Sequence, residues 1–185
     1  MAQRPRKVWF LGGMSGAFWR VMSAAPSIKI RLATADDIEW LALAQVDIIT
    51  LEGDACDVLK ERKVARMRVL QDRVLVAVDE ASLARLGWLA YTFAEAVPFG
   101  VDYGNMDEPY LWVEAVFVEP ESRGKGIGTF LYTEAERLAR AKGISVILMD
   151  DYEVNTKSKA FHEKAGYKPW VTVWRKSVVS LDSPT

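Results

Sequence analysis

Cysteine and histidine are almost missing from this chain of 185 residues, where Cys56 and His162 are single occurrences. One thiol cannot build a disulfide framework, and one residue of each kind cannot build a Cys/His zinc site. A lone thiol fits a reducing compartment, so the expectation is a cytoplasmic protein without a metal. An excess of either charge is also lacking: 24 Lys and Arg stand against 25 Asp and Glu, a net charge of −1. Without a basic stripe, a nucleic-acid partner held by phosphate neutralisation is not expected. Long apolar runs are missing too. The patch from Val8 to Trp19 is far short of a membrane span, so no membrane partner is expected.

At 185 residues, half of them hydrophobic, the chain is long enough for one well-filled core and too short to expect two. Residues 28–178 are expected to form the domain, with 1–27 as an extension outside the core and 179–185 as a tail. The extension imitates a secretory signal, since Arg4, Arg6 and Lys7 precede its apolar patch and Ser23-Ala24-Ala25 follows. Arg20 interrupts that pattern, and Gly12, Gly13 and Gly16 weaken the helix it would need. An upstream start, with Met14 or Met22 as alternatives, accounts for it better.

Ile28 to Leu32 alternates apolar and basic residues, as a strand with one buried face does. Thr34 with an acid three residues on predicts a capped helix through Ile38, Leu41 and Val46, and a second helix spans about Asp54 to Leu70. Arg73 to Val78 and Leu86 to Ala96 predict an antiparallel pair. Val97 to Pro109 is a loop, and Tyr110 to Val118 a strand. Ile127, Phe130, Leu131, Ala135 and Leu138 form one helical stripe that Gly143 ends. Ile144 to Met149 is a short apolar strand covered on both faces, followed by a helix from Asn155 and a last strand over Val171 to Val178. The order strand, helix, strand implies a right-handed crossover between parallel strands.

At the centre lies Arg123-Gly124-Lys125-Gly126-Ile127-Gly128, three glycines and two cations between a strand and a helix. A glycine-rich helix start exposes backbone N–H groups at the positive end of the helix dipole, which suits a phosphate. The P-loop pattern cannot be aligned, and the dinucleotide fingerprint spaces its third glycine differently. A glycine-rich start with no ligand costs helix propensity, about 1 kcal/mol per glycine.

Val118-x-Pro120-x-x-Arg123-x-x-Gly126-x-Gly128, then Asn155 and Phe161-His162-Glu163-Lys164-Ala165-Gly166-Tyr167, resembles the GCN5-related N-acetyltransferase (GNAT) superfamily. The match is strong over Leu111 to Tyr167; Ile28 to Ala96 resembles the family only in the order of elements. The resemblance implies a single α/β (α+β) domain with a mixed, mostly antiparallel sheet of six or seven strands, about four helices and splayed central parallel strands. It implies acetyl-CoA as cosubstrate, its pyrophosphate held by the backbone of Arg123, Gly124, Lys125, Gly126, Ile127 and Gly128. Val116, Phe117 and Val118 would lie along the pantetheine arm, with an oxyanion held by N–H groups of that strand, and Asn155 would touch the cofactor. A homodimer would be usual for the family.

Acyl transfer to an amine requires a base for the ammonium and helps itself with an acid for the departing thiolate. His162 occupies the position where many family members carry a donor tyrosine, and Tyr152 and Tyr167 are weaker sources of the missing hydroxyl. Glu114 matches a strand carboxylate used as base in the family if it shares a face with Val116 and Val118, and a bulge would turn it away. Asp150 matches the acid at the end of the equivalent strand. The acids Asp102, Asp107, Glu108, Glu114, Asp150, Asp151 and Glu153 would favour a cationic acceptor, a small-molecule or peptide amine. The alternatives are a non-catalytic acyl-CoA-binding or regulatory domain, and an interaction module built on the Trp-rich extension.

Overall fold

The computed structural model describes residues 27–94 and 108–170. Strand β1 (Ile28–Leu32) leads through a 3-10 turn into helix α1 (Ile38–Leu51), then helix α2 (Val58–Leu70). Strands β2 (Val74–Asp79), β3 (Arg85–Ala94) and β4 (Tyr110–Val118) follow, then helix α3 (Ile127–Ala141), strand β5 (Val146–Leu148) and helix α4 (Thr156–Lys164). Among the described residues no helix is long and apolar enough to cross a membrane.

The strands form one sheet in sequence order, β1 to β4 antiparallel and β4 parallel to β5. This mixed, mostly antiparallel sheet has five strands among the described residues, fewer than the six or seven expected. The expected strand over Val171 to Val178 lies outside those residues. Parallel pairing joins Tyr110, Leu111 and Trp112 to Val146, Ile147 and Leu148 and stops there, while β4 runs on to Val118. The two parallel strands therefore part where β5 ends. β5 itself is only half-buried, not covered on both faces as its apolar run suggested.

Period-two alternation divides the core between the two faces of the sheet. Val74, Val76, Val78, Trp88, Ala90 and Phe117 pack under α1 and α2, while Leu75, Ala77, Leu89, Tyr91, Leu111 and Val113 pack under α3. On α3 the buried stripe is Ile127, Leu131, Tyr132, Ala135 and Ala139. Phe130, assigned to the stripe from sequence, is half exposed, because one position of rotation carries it past the sheet-facing side. α2 begins at Val58, four residues later than expected, because Asp57 caps it by accepting from the Leu59 N–H at 2.9 Å.

The junction of β1 and α1 is an ionic knot. Asp37 is fully buried and accepts from Thr34 N–H, Arg31 at 2.6 and 3.0 Å, and Arg85 at 2.7 Å. This is the acid three residues after Thr34, and the capping box is formed.

Candidate active site

The turn before α3, the end of β5 and helix α4 carry most of the residues that the sequence singled out, whereas Glu108 and Glu114 lie elsewhere. The chain leaves β4 through a 3-10 turn (Pro120–Ser122), and Arg123 Nε donates to Val118 O at 3.0 Å, fastening the loop to the strand it left. Gly124 (φ 75°) and Gly126 (φ 83°) adopt left-handed backbone, which a side chain would strain. Gly126 is the N-cap of α3, with no side chain bonded to the helix start. The first N–H groups of α3 have no partner one turn back, and Arg123 to Gly126 are exposed. Gly128 has a different reason. A Cβ there would meet the Phe161 ring at 3.2 Å, so this glycine lets α3 approach α4.

The strand side of the cleft differs from the regular pairing expected of it. Ala90 pairs with Ala115 and Tyr91 with Val113, leaving Glu114 as the extra residue of a bulge. Val116 and Val118 pack on the α3 side, whereas Ala115 and Phe117 pack toward α1 and α2. Glu114 therefore does not share a face with Val116 and Val118. It accepts from Arg68 Nε of α2 at 2.7 Å, and Arg68 also reaches Gln45.

Asp150 stands two residues past the end of β5. It is exposed on one side, and partial loss of water on the other, with the charge of Asp151 adding, pushes its pKa up. Glu52, at the end of α1, is raised for the same reasons, by burial and then by Asp150, Asp54 and Asp151. Tyr152 donates to Asp54 at 3.0 Å, tying the loop after β5 to the loop after α1. Asp54, Asp150 and Asp151 thus surround Glu52. Asp102 and Asp107 of the expected acidic field lie outside the described residues, and Glu108 accepts from Ser145.

Asn155 caps α4, its Oδ1 accepting from Ser158 N–H at 3.2 Å. His162 is buried. Its Nδ1 lies 2.6 Å from Asp151 Oδ2 and its Nε2 2.7 Å from the Tyr132 hydroxyl of α3. Burial alone would raise the Asp151 pKa, but hydrogen bonds from His162 and Ser158 outweigh it and hold the carboxyl low. Tyr132 and Tyr167 are both pushed up by burial, Tyr167 to about 12. Tyr132, which the sequence reading left out of the α3 stripe, was missed because its partner lies 30 residues away.

Comparison with known proteins assigns the class. The model of the acetyltransferase (GNAT) family matches residues 57–167. The peptidyl-lysine N-acetyltransferase YjaB of Salmonella typhimurium is 30% identical over 131 residues, covering 67% of this chain and 85% of that protein. The chain belongs to the GNAT acetyltransferase family.

Solved structures agree in fold. Aminoglycoside N-acetyltransferase AAC(6')-Iy in complex with CoA superposes with a TM-score of 0.65 at 18% identity, over 85% of this chain and 100% of that one. AAC(6')-Ih from Acinetobacter baumannii gives 0.60 at 23%, over 82% and 99%. A predicted acetyltransferase with acetyl-CoA from Clostridium acetobutylicum gives 0.60 at 18%, over 79% and 95%.

Proposed function

We propose that this protein transfers an acetyl group from acetyl-CoA to the primary amine of a cationic acceptor, by direct attack in a ternary complex. The observation that carries this reading is the parting of β4 and β5 beside an uncapped, exposed glycine start of α3. Backbone from Arg123 to Gly128 would take the pyrophosphate, with the cations of Arg123 and Lys125 alongside. Val116, Phe117 and Val118 would line the pantetheine path and present N–H groups to the oxyanion of the tetrahedral intermediate. Asn155 would touch the cofactor through the end of α4 that it caps.

Asp150 is our choice of base over Glu114. A carboxylate with a raised pKa is a better proton acceptor near neutrality, whereas Glu114 is engaged by Arg68. His162 belongs to the acid side, through its chain of hydrogen bonds. The acids around Glu52 favour a cation in the mouth of the cleft, and the likeness to a peptidyl-lysine acetyltransferase supports a lysine side chain as the acceptor.

The test is a panel of lysine peptides, polyamines and aminoglycosides with acetyl-CoA, reading free thiol. Lysine peptides should release thiol well above the rate without acceptor, and Asp150→Asn should lower kcat by at least about 100-fold, within the range of general-base effects. Acetyl-CoA binding without thiol release over the whole panel would overturn the enzymatic reading in favour of a non-catalytic acyl-CoA-binding domain. Activity lost in Glu114→Gln but kept in Asp150→Asn would reverse the choice of base.

A further inference from the structure

Both ring nitrogens of His162 are taken, Nδ1 by Asp151 and Nε2 by Tyr132, and the imidazole is buried. It has no N–H left to offer a third group. The Tyr132 hydroxyl has: beyond Nε2, its described neighbour is Met149 Sδ at 3.4 Å, a long and weak contact. Met149 directly follows Leu148, the last β5 residue paired with β4, so this hydroxyl lies against the residue at which β5 leaves β4. We propose that Tyr132 is the proton donor to the departing thiolate, recharged by His162, and that Asp151 is the residue that positions His162 through Nδ1. This rests on the acetyl-transfer reading given above.

The proton account closes. An ionised Asp151 only accepts, so Nδ1 carries hydrogen in either charge state of the ring. In the imidazolium, Nε2–H donates to the Tyr132 oxygen, and the tyrosine hydrogen is free to point into the cleft. When the C–S bond of the tetrahedral intermediate breaks, its electron pair goes to sulfur. The Tyr132 proton moves to that sulfur, and the Nε2 proton moves to the tyrosine oxygen. What remains is the CoA thiol, neutral Tyr132 and neutral His162 with Nδ1–H still on Asp151. The acceptor ammonium loses two protons on becoming an amide; one restores His162 and the other leaves to solvent. Burial raises the Tyr132 pKa, so its proton leaves only as the Nε2 proton replaces it, which couples the two transfers. The charged and polar groups around the ring are Asp151 on one side and Tyr132 and Tyr167 on the other, with Ser158 and Lys159 acting on Asp151.

The experiment uses the full chain and Tyr132→Phe, which keeps the ring and removes only the hydroxyl. With a lysine peptide, kcat should fall at least about 100-fold while the KM for acetyl-CoA changes less than about threefold, the split expected of a lost proton donor. Asp151→Asn, at a more exposed site, should also lower kcat. Because the chain has one histidine, its imidazole nitrogens give unambiguous 15N signals. In the neutral ring of the wild type the proton should sit on Nδ1, and in Asp151→Asn that preference should be lost. A Tyr132→Phe enzyme with wild-type kcat, or a neutral wild-type ring protonated on Nε2, overturns the proposal and leaves acetyl transfer standing. A wild-type chain that releases no thiol on any acceptor overturns both.

Discussion

Asp37 shows at the scale of one residue how a buried charge is tolerated. Desolvation works against its carboxylate, and hydrogen bonds from Arg31, Thr34 and Arg85 outweigh that and hold its pKa well below the usual carboxylate range. Removing the carboxylate strands two guanidiniums at the β1, α1 and β3 junction. Asp37→Ala should therefore lose about 3 kcal/mol of stability in urea unfolding, the lower end for breaking a buried ion pair because both arginines are a third exposed. The sign with pH follows from a depressed folded pKa. The Asp37 contribution is complete above the unfolded value near 3.9 and is lost as pH falls toward the folded one. Acid unfolding of the wild type, compared with Asp37→Asn, should show the difference between the two shrinking below about pH 4. Half of this knot was readable in the sequence, as a threonine with an acid three residues on. Arg85 was not, since nothing local relates it to Asp37.

At the scale of elements, the glycine cluster does two jobs that its spelling does not separate. Gly124 and Gly126 are required by backbone conformation and leave the start of α3 open. Gly128 is required by the closeness of α3 to α4, through the face of Phe161. Gly128→Ala should cost about 1 kcal/mol or more by overpacking, read as a lowered thermal midpoint. Adding Phe161→Leu should recover part of that loss if the clash is the cause. A Gly128→Ala melting profile equal to wild type would show that the helices part freely. The bulge at Glu114 belongs to the same scale. A strand's own residues do not say where its partner will skip one, and the skip decides which face a carboxylate serves.

For the whole molecule, charges of opposite sign gather at different loops. Arg123 and Lys125 stand at the glycine turn, and Glu52, Asp54, Asp150 and Asp151 gather where the loops after α1 and β5 meet. A cationic acceptor drawn to that acidic side should show a KM that rises several-fold between about 0.05 and 0.5 M salt, as screening shortens the field. Glu52 carries the opposite linkage to Asp37. A carboxylate whose folded pKa is raised costs stability when ionised, so the cost appears as pH rises through its unfolded and folded values. Glu52→Gln should leave the thermal midpoint at pH 7 unchanged or higher while raising the KM for the amine. A lower midpoint with unchanged KM would make Glu52 structural.

The sequence by itself determined the elements, the glycine turn and the family likeness, because those depend on residues close together in the chain: alternation in β1, the apolar stripe of α3, the cap at Asn155. It also named His162, as the one residue standing where a different side chain was expected. Only the tertiary structure decided what His162 touches, which way Glu114 faces, and that the acids after α1 and β5 crowd one another. Each of these depends on a contact between distant segments. The His162 to Tyr132 bond spans 30 residues and the Glu114 to Arg68 pair 46, and no periodicity along the chain encodes such a pairing before the sheet and helices have packed.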